Sequence, residues 1–443
     1  METSITYKRI WNVAYPIILG SVAQNLINFT DTAFLGRVGE VALGAGALGG
    51  IFYLAVIMLG LGFGTGAQII IARRYGEKDM KAIGSIIDHT LGFLIIMAML
   101  SYLLLQYGSE YLLSSFVSSE AVYKATVEFL DYRSFGIFFA FVNMTFRAFY
   151  VGLAKTKVIT YTTIVLATVN IILDYLLIFG RHGFPEMGIA GAALASVIAE
   201  GFALLFFISY TIATVKLEDY GMFSFLGFSM SKLRNIVRIA VPIMMQMFLS
   251  LAVWFVFFLL IEKLGESALA VSNIIRSILV VLLVPVWGFA TATNTLVSYL
   301  IGDDRAEEVT GLLKKIILLC FIGVLIVVST GLAFPRLLFE IYTNDMDLIE
   351  MGIPILYVIS MGAVSLSFGF ILFNGVSGTG KTNVSLLIEV IVLAIYLLFG
   401  YAMVYIFETG VTTVWFAETI YGTLLAILSF LYIRSGKWKS SKV

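Results

Sequence analysis

The sequence predicts an all-α polytopic membrane protein: twelve transmembrane helices arranged as two parallel six-helix repeats that form two lobes. Three observations carry this. Hydrophobic residues make up 60% of the 443 positions and charged residues only 13%, against about 25% charged in soluble domains. Apolar runs long enough to span a hydrocarbon core, which takes roughly 20 helical residues, recur twelve times. Finally, a shift of the chain against itself by 226 residues, without a gap, superposes its least interchangeable positions. Pro16 falls on Pro242, Gly39-Glu40 on Gly265-Glu266, Thr65 on Thr291, Gly76 on Gly302, Gly136 on Gly362, Gly152 on Gly378 and Lys155-Thr156 on Lys381-Thr382. Prolines, glycines and loop charges coincide by chance far less easily than leucines, so one structural unit occurs twice.

In chain order, the first span, 11–36, has Pro16 near its start and a polar stripe of Gln24, Asn28 and Asp31, whose four-then-three spacing puts them on one helical face. The second, 42–72, is rich in glycine, which suits close helix packing. The third and fourth cover 83–107 and 124–151; Arg147 is close enough to the end of the fourth to snorkel. The fifth, 158–180, carries Asn170 and Asp174 one turn apart. The sixth, 188–215, carries Ser196 and Glu200. A polar segment, 216–232, is the expected linker, giving an N-terminal lobe at 1–215 and a C-terminal lobe at 233–443. The second repeat supplies spans 234–262, 268–300, 313–340, 350–376, 383–407 and 411–434, with Arg276 in the eighth span and Glu389 in the eleventh.

Net charge is zero, which excludes a large basic surface for nucleic acid. About 20 of the 28 Lys and Arg residues fall on one side of the predicted spans, so both termini are expected in the cytoplasm of a cell whose plasma (inner) membrane holds the protein. Six helices per repeat, an even number, make the two repeats run in the same direction. Cys320 is the only cysteine, so no disulfide framework or cysteine metal site arises. His89 and His182 have no partner spacing for a metal. The run Gly375-Val-Ser-Gly-Thr-Gly-Lys381-Thr382 matches the P-loop pattern, but it joins two membrane spans where a P-loop needs a strand before it.

Ionisable groups inside spans cost about 2.5 to 3.5 kcal/mol each at a helix centre, so they are the functional candidates. Asp31 and Asp174 lie at matching depths, each about five or six residues before its helix end. The 226-residue shift offers a control: Ser250, Trp254 and Phe257 occupy the places of Gln24, Asn28 and Asp31, and Tyr396 and Gly400 those of Asn170 and Asp174. The scaffold does not need the acids. Two close carboxylates in low dielectric do not both stay ionised, so one holds a proton; the same oxygens, with Asn170, equally suit Na+. Glu200 either extends this network through Ser196 or pairs with a neighbouring helix. Arg276 and Glu389 are expected to form an interior ion pair or to contact substrate.

These features together, with the run Asp31-Thr-Ala-Phe-Leu-Gly-Arg37 and the Gly-Ile-Ala-Gly-Ala-Ala start at Gly188, resemble the multidrug and toxic compound extrusion (MATE) transporters, over essentially the whole chain. The resemblance implies a secondary antiporter, not an enzyme, with no cofactor beyond its coupling ion. It exports bulky, often cationic amphipathic compounds in exchange for H+ or Na+ and works as a monomer in the lipid bilayer. It puts cation or proton coupling at Asp31 and Asp174, with Asn170 beside them and a helix-six hydroxyl corresponding to Ser196; the residue pattern itself adds Asn28, Gln24 and Glu200 to the expected coupling group. The NorM-like branch carries further acids in helices seven and ten; here Ser250 and Ser365-Leu366-Ser367 stand there, so the chain is more similar to the DinF-like branch. The competing expectation is a lipid-linked flippase of the same superfamily, which usually adds spans and a strongly basic cavity.

Overall fold

The structure, a computed structural model, describes residues 5–224 and 229–439. Positions 225–228 of the expected linker, 1–4 of the first expected lobe and 440–443 of the second lie outside the described residues. The membrane helices are α1 Tyr7–Val38, α2 Glu40–Gly76, α3 Met80–Ser115, α4 Glu120–Arg133 plus Gly136–Gly152, α5 Lys157–Ile178 and α6 Gly188–Thr214. There follow α7 Met230–Glu262, α8 Glu266–Leu282 plus Val284–Gly302, α9 Val309–Ala333, α10 Met346–Gly378, α11 Thr382–Ile406 and α12 Val411–Arg434. Among the described residues, ten single helices are long and apolar enough to cross a membrane, and α4 and α8, each bent by more than 40°, bring the spans to twelve. Every predicted span overlaps one of them.

The repeat extends into backbone geometry. Left-handed φ values recur at the same offset in four connectors: Gly39 and Gly265, Lys78 and Asp304, Ala154 and Gly380, His182 and Glu408. Such conformations are uncommon outside glycine, so four matched pairs mean that the same turns were built twice. Gly380 also lies within the P-loop look-alike, which is the end of α10 and its connector to α11.

Prolines explain where the repeats diverge. In α8, Pro285 lacks the N–H that would bond back to residue 281, and the helix bends by 47° at Leu283; α2, its counterpart, has no proline and runs unbroken. The predicted ninth span was expected to reach residue 340, but α9 stops at Ala333. Phe334, the residue before Pro335, takes non-helical dihedrals, and Pro335–Glu340 form a separate short helix.

The chain divides into two compact units, residues 19–244 and residues 1–18 with 245–443, so each boundary falls inside a helix, α1 or α7. In the unit of residues 19–244, α2 is the packing spine. A Cβ at Gly49 would strike Phe129 and one at Gly60 would strike Phe141, both on α4, while Gly44 and Gly50 face open space. Gly66 brings α2 against Ala240 of α7. In the other unit α10 lies along α12 with Gly369 and Gly422 at the contact, the small-residue packing that membrane helices use where no hydrophobic force drives them together.

Candidate functional site

In the unit of residues 19–244, α5 presents Asn170 and Asp174 on one face, at 1% and 0% exposure. α1 brings Asp31, half-buried, so that its carboxyl engages that of Asp174 directly. Asn170 donates from Nδ2 to Ser196 Oγ on α6 at 3.3 Å, tying α5 to α6. Four buried oxygens at this locus accept no hydrogen bond from the described residues: Asp31 Oδ1, Asn170 Oδ1 and both oxygens of Asp174.

One turn further along, Leu35 of α1, Ile178 of α5 and Ile189, Ala192 and Ala193 of α6 join Ala42, Ala45, Leu113, Phe129 and Leu130 in one apolar cluster. Phe34 and Phe179 stack edge-on beside it, with ring centroids 5.5 Å apart. All three helices therefore hold a polar group one turn inside an apolar cap. That placement follows from the four-residue spacing Asp31/Leu35 and Asp174/Ile178 in the sequence.

Buried acceptors without donors are rare because each costs about 1 to 3 kcal/mol. A proton between the carboxyls, or a small hard cation among the oxygens, is what such an arrangement would accommodate. Among the described residues no group of three His, Cys, Asp or Glu side chains could hold a metal ion.

Of the two readings of Glu200, pairing with a neighbouring helix is the one observed. Its carboxylate takes a two-pronged ion pair from Arg133 of α4 (Oε1 to Nη2 2.6 Å, Oε2 to Nη1 3.0 Å), and the Tyr53 hydroxyl of α2 lies 3.3 Å from both oxygens. The Arg133 guanidinium sits over the Tyr53 ring, 3.7 Å from its centroid. Gly136 makes this possible, because a Cβ there would collide with both charged groups. Gln24 and Asn28, expected to join Asp31, are exposed and bond weakly to each other at 3.5 Å; the structure does not bring them to the acid pair.

The expected Arg276–Glu389 ion pair is not formed. Arg276 is exposed, 5.5 Å from the centre of the Phe258 ring. Glu389, at 2% exposure, accepts instead from Ser250 Oγ of α7 at 2.6 Å and Tyr421 OH of α12 at 2.7 Å, both on Oε1. Beside it Glu418 of α12 accepts from Tyr396 OH at 2.9 Å and Trp254 Nε1 at 3.4 Å. Arg133, Tyr53 and Glu418 were not singled out from the sequence. Arg133 and Glu418 carry the signal that flagged the others, a charge within a predicted span; Tyr53 carries none. His89 is structural: Nδ1 donates to Ser85 O at 2.6 Å and Nε2 accepts the Ser229 N–H at 2.9 Å.

Two six-helix repeats, with a buried acid pair inside the unit of residues 19–244, define a polytopic membrane protein of the transporter type. The chain belongs to the MatE family, whose sequence profile matches it twice, at residues 16–176 and 242–402, two stretches offset by the same 226 residues as the internal repeat. Among curated relatives, a probable multidrug resistance protein NorM of Thermotoga maritima is 27% identical over 98% of this chain and 94% of its own length. One of the same name from Photorhabdus laumondii is 26% identical over 80% and 78%. Among solved structures, a MOP superfamily transporter from Pyrococcus furiosus, whose reverse-polarity binding pocket is taken to suggest a different function, superposes with a TM-score of 0.91 at 22% identity, over 98% of this chain and 97% of that one. An outward-facing multidrug resistance MATE family transporter of the same superfamily gives 0.90 at 22% identity over 97% and 95%. At that identity the structures show a shared fold.

Proposed function

We propose that the chain is a secondary active multidrug antiporter, exporting amphipathic, often cationic organic compounds in exchange for H+ or Na+, with coupling at Asp31, Asp174, Asn170 and Ser196. The carrying observation is the pair of facing carboxyls whose buried oxygens lack donors. Two unit negative charges about 4 Å apart in an effective dielectric of about 20 repel by about 4 kcal/mol. A proton or Na+ arriving between them removes that repulsion and draws α1 toward α5. Its departure pushes them apart. A site whose occupancy changes the preferred position of one helix biases a two-state equilibrium, and a substrate that prefers the other state is then released. With both termini cytoplasmic, as the Lys and Arg distribution indicates, the acids lie in the outer half of the membrane, where the inward ion gradient loads them.

The test is efflux of a fluorescent lipophilic cation from proteoliposomes under separately imposed proton and sodium gradients, comparing the native chain with Asp31→Asn and Asp174→Asn. Efflux driven by one gradient and lost in both variants supports the reading and names the ion. Gradient-driven efflux unchanged in both variants removes this site from the mechanism.

A further inference from the structure

We propose that the unit of residues 1–18 and 245–443 holds a proton-binding site of its own, formed by Glu389 and Glu418 with Tyr396 and Tyr421 across α7, α11 and α12. This goes beyond the coupling site in the other unit and does not depend on it.

The location is the first reason. Under the 226-residue shift, α7, α11 and α12 are the counterparts of α1, α5 and α6, the three helices that hold Asp31, Asp174, Asn170 and Ser196. Tyr396 stands at the place of Asn170, Trp254 at that of Asn28 and Ser250 at that of Gln24. The same three-helix junction is thus polar in both units, with its carboxyls on different positions: Gly400 replaces Asp174 and Phe257 replaces Asp31, while Glu389 and Glu418 stand where the first repeat has Thr163 and Ala192.

The bonding pattern is the second. Glu389 and Tyr396 are two helical turns apart on α11, Glu418 and Tyr421 one turn apart on α12, and Ser250 and Trp254 one turn apart on α7. Two layers result. In one, Ser250 and Tyr421 donate to Glu389; in the other, Trp254 and Tyr396 donate to Glu418. The Tyr396 and Tyr421 rings join the layers, with centroids 5.9 Å apart. Each carboxyl is bound by donors from both of the other helices.

The third reason is the missing counter-charge. Glu200 in the other unit is neutralised by Arg133. No basic side chain forms an ion pair with Glu389 or Glu418 among the described residues; the groups facing them are Ser250, Trp254, Tyr396 and Tyr421. From α10 the approach to Glu418 is the apolar edge at Gly362. Glu389 Oε2 is buried with no partner at all, although Oε1 accepts twice. A bare, buried carboxylate oxygen is among the costliest groups a protein can carry, and adding H+ to it converts the carboxylate to a neutral acid while the two hydroxyl bonds to Oε1 persist.

The experiment is infrared difference spectroscopy of the full-length reconstituted protein between acidic and alkaline pH, in the Asp31→Asn/Asp174→Asn background so that the first acid pair is silent. Carbonyl bands of protonated carboxylic acids are expected to remain in that background. Glu389→Gln should remove one and Glu418→Gln another, and Tyr421→Phe should shift the Glu389 band by removing one of its donors. Tyr421→Phe keeps the test open should either glutamine variant fail to assemble. Bands untouched by all three substitutions, or their absence from the background protein, would overturn the proposal. Bands that answer to Na+ at fixed pH instead of to pH would overturn the assignment to protons. A silent first pair in the native protein, by contrast, bears only on Asp31 and Asp174.

Discussion

Replacing Arg133 by methionine keeps most of the side-chain volume and removes the charge, leaving the Glu200 carboxylate behind. The two side chains are only 12% and 13% exposed and share two direct bonds, at 2.6 and 3.0 Å. Breaking so buried a pair from one side strands an uncompensated charge and costs about 3 to 5 kcal/mol. Removing both charges together, as Arg133→Met/Glu200→Met, strands no charge. The remaining losses are the cation–π contact with Tyr53, about 2 kcal/mol for a desolvated case, and the Tyr53 hydroxyl's bond to Glu200, offset in part by new apolar packing. The double variant should therefore be more stable than either single one, with a coupling energy of about 3 kcal/mol or more. Equilibrium unfolding in mixed micelles, run as a four-corner cycle, measures it. Strictly additive losses would show that the pair is not the electrostatic unit described, and that Arg133 and Glu200 act independently.

Gly136→Ala should lose about 1 to 3 kcal/mol by pushing a methyl into the same two charged groups, whereas Gly50→Ala, which meets open space, should be neutral or gain up to about 1 kcal/mol from helix propensity; the same unfolding assay compares them. Trp415→Phe removes the Nε1 bond to Ser272 Oγ at 3.0 Å, in a site where both residues are fully buried, and should cost about 1 to 3 kcal/mol while leaving Asp31-dependent efflux intact. Cys320, at 0% exposure, should resist a maleimide in the folded protein and react only after detergent unfolding, read by mass shift. His89→Ala frees the Ser229 N–H, and with Asp88 still accepting from Phe223 N at 2.7 Å the segment 216–232 should be nicked by protease faster than in the native chain, though not released.

Architecture was legible because its signals are periodic and forced by solvent. Apolar length marks the spans, and the coincident prolines and glycines mark the repeat; the matched left-handed turns at Lys78 and Asp304 are the physical reason that those loops align. Helix ends were less legible, since the end of α9 depends on one proline acting on its neighbour Phe334. In the site, Asp31, Asp174, Asn170 and Ser196 come together because depth and face follow from residue counting. Gln24 and Asn28 share the face of Asp31 but lie two turns and one turn back along α1, where they stay exposed. Partner choice between helices is not encoded in spacing along one helix: Glu389 met Ser250 and Tyr421 instead of Arg276, and Glu200 met Arg133, because helix rotation about the axis decides which face meets which.

The two members of the acid pair differ in reach: Asp174 is sealed at 0% exposure, while Asp31 keeps part of its surface open. If the proposed coupling reading holds, the pair is a cul-de-sac with one door: an ion would meet Asp31 before Asp174, with the apolar cap of Leu35, Ile178 and Ala193 behind them. Such a dead end would be filled, carried and emptied, so its throughput would be counted in helix movements.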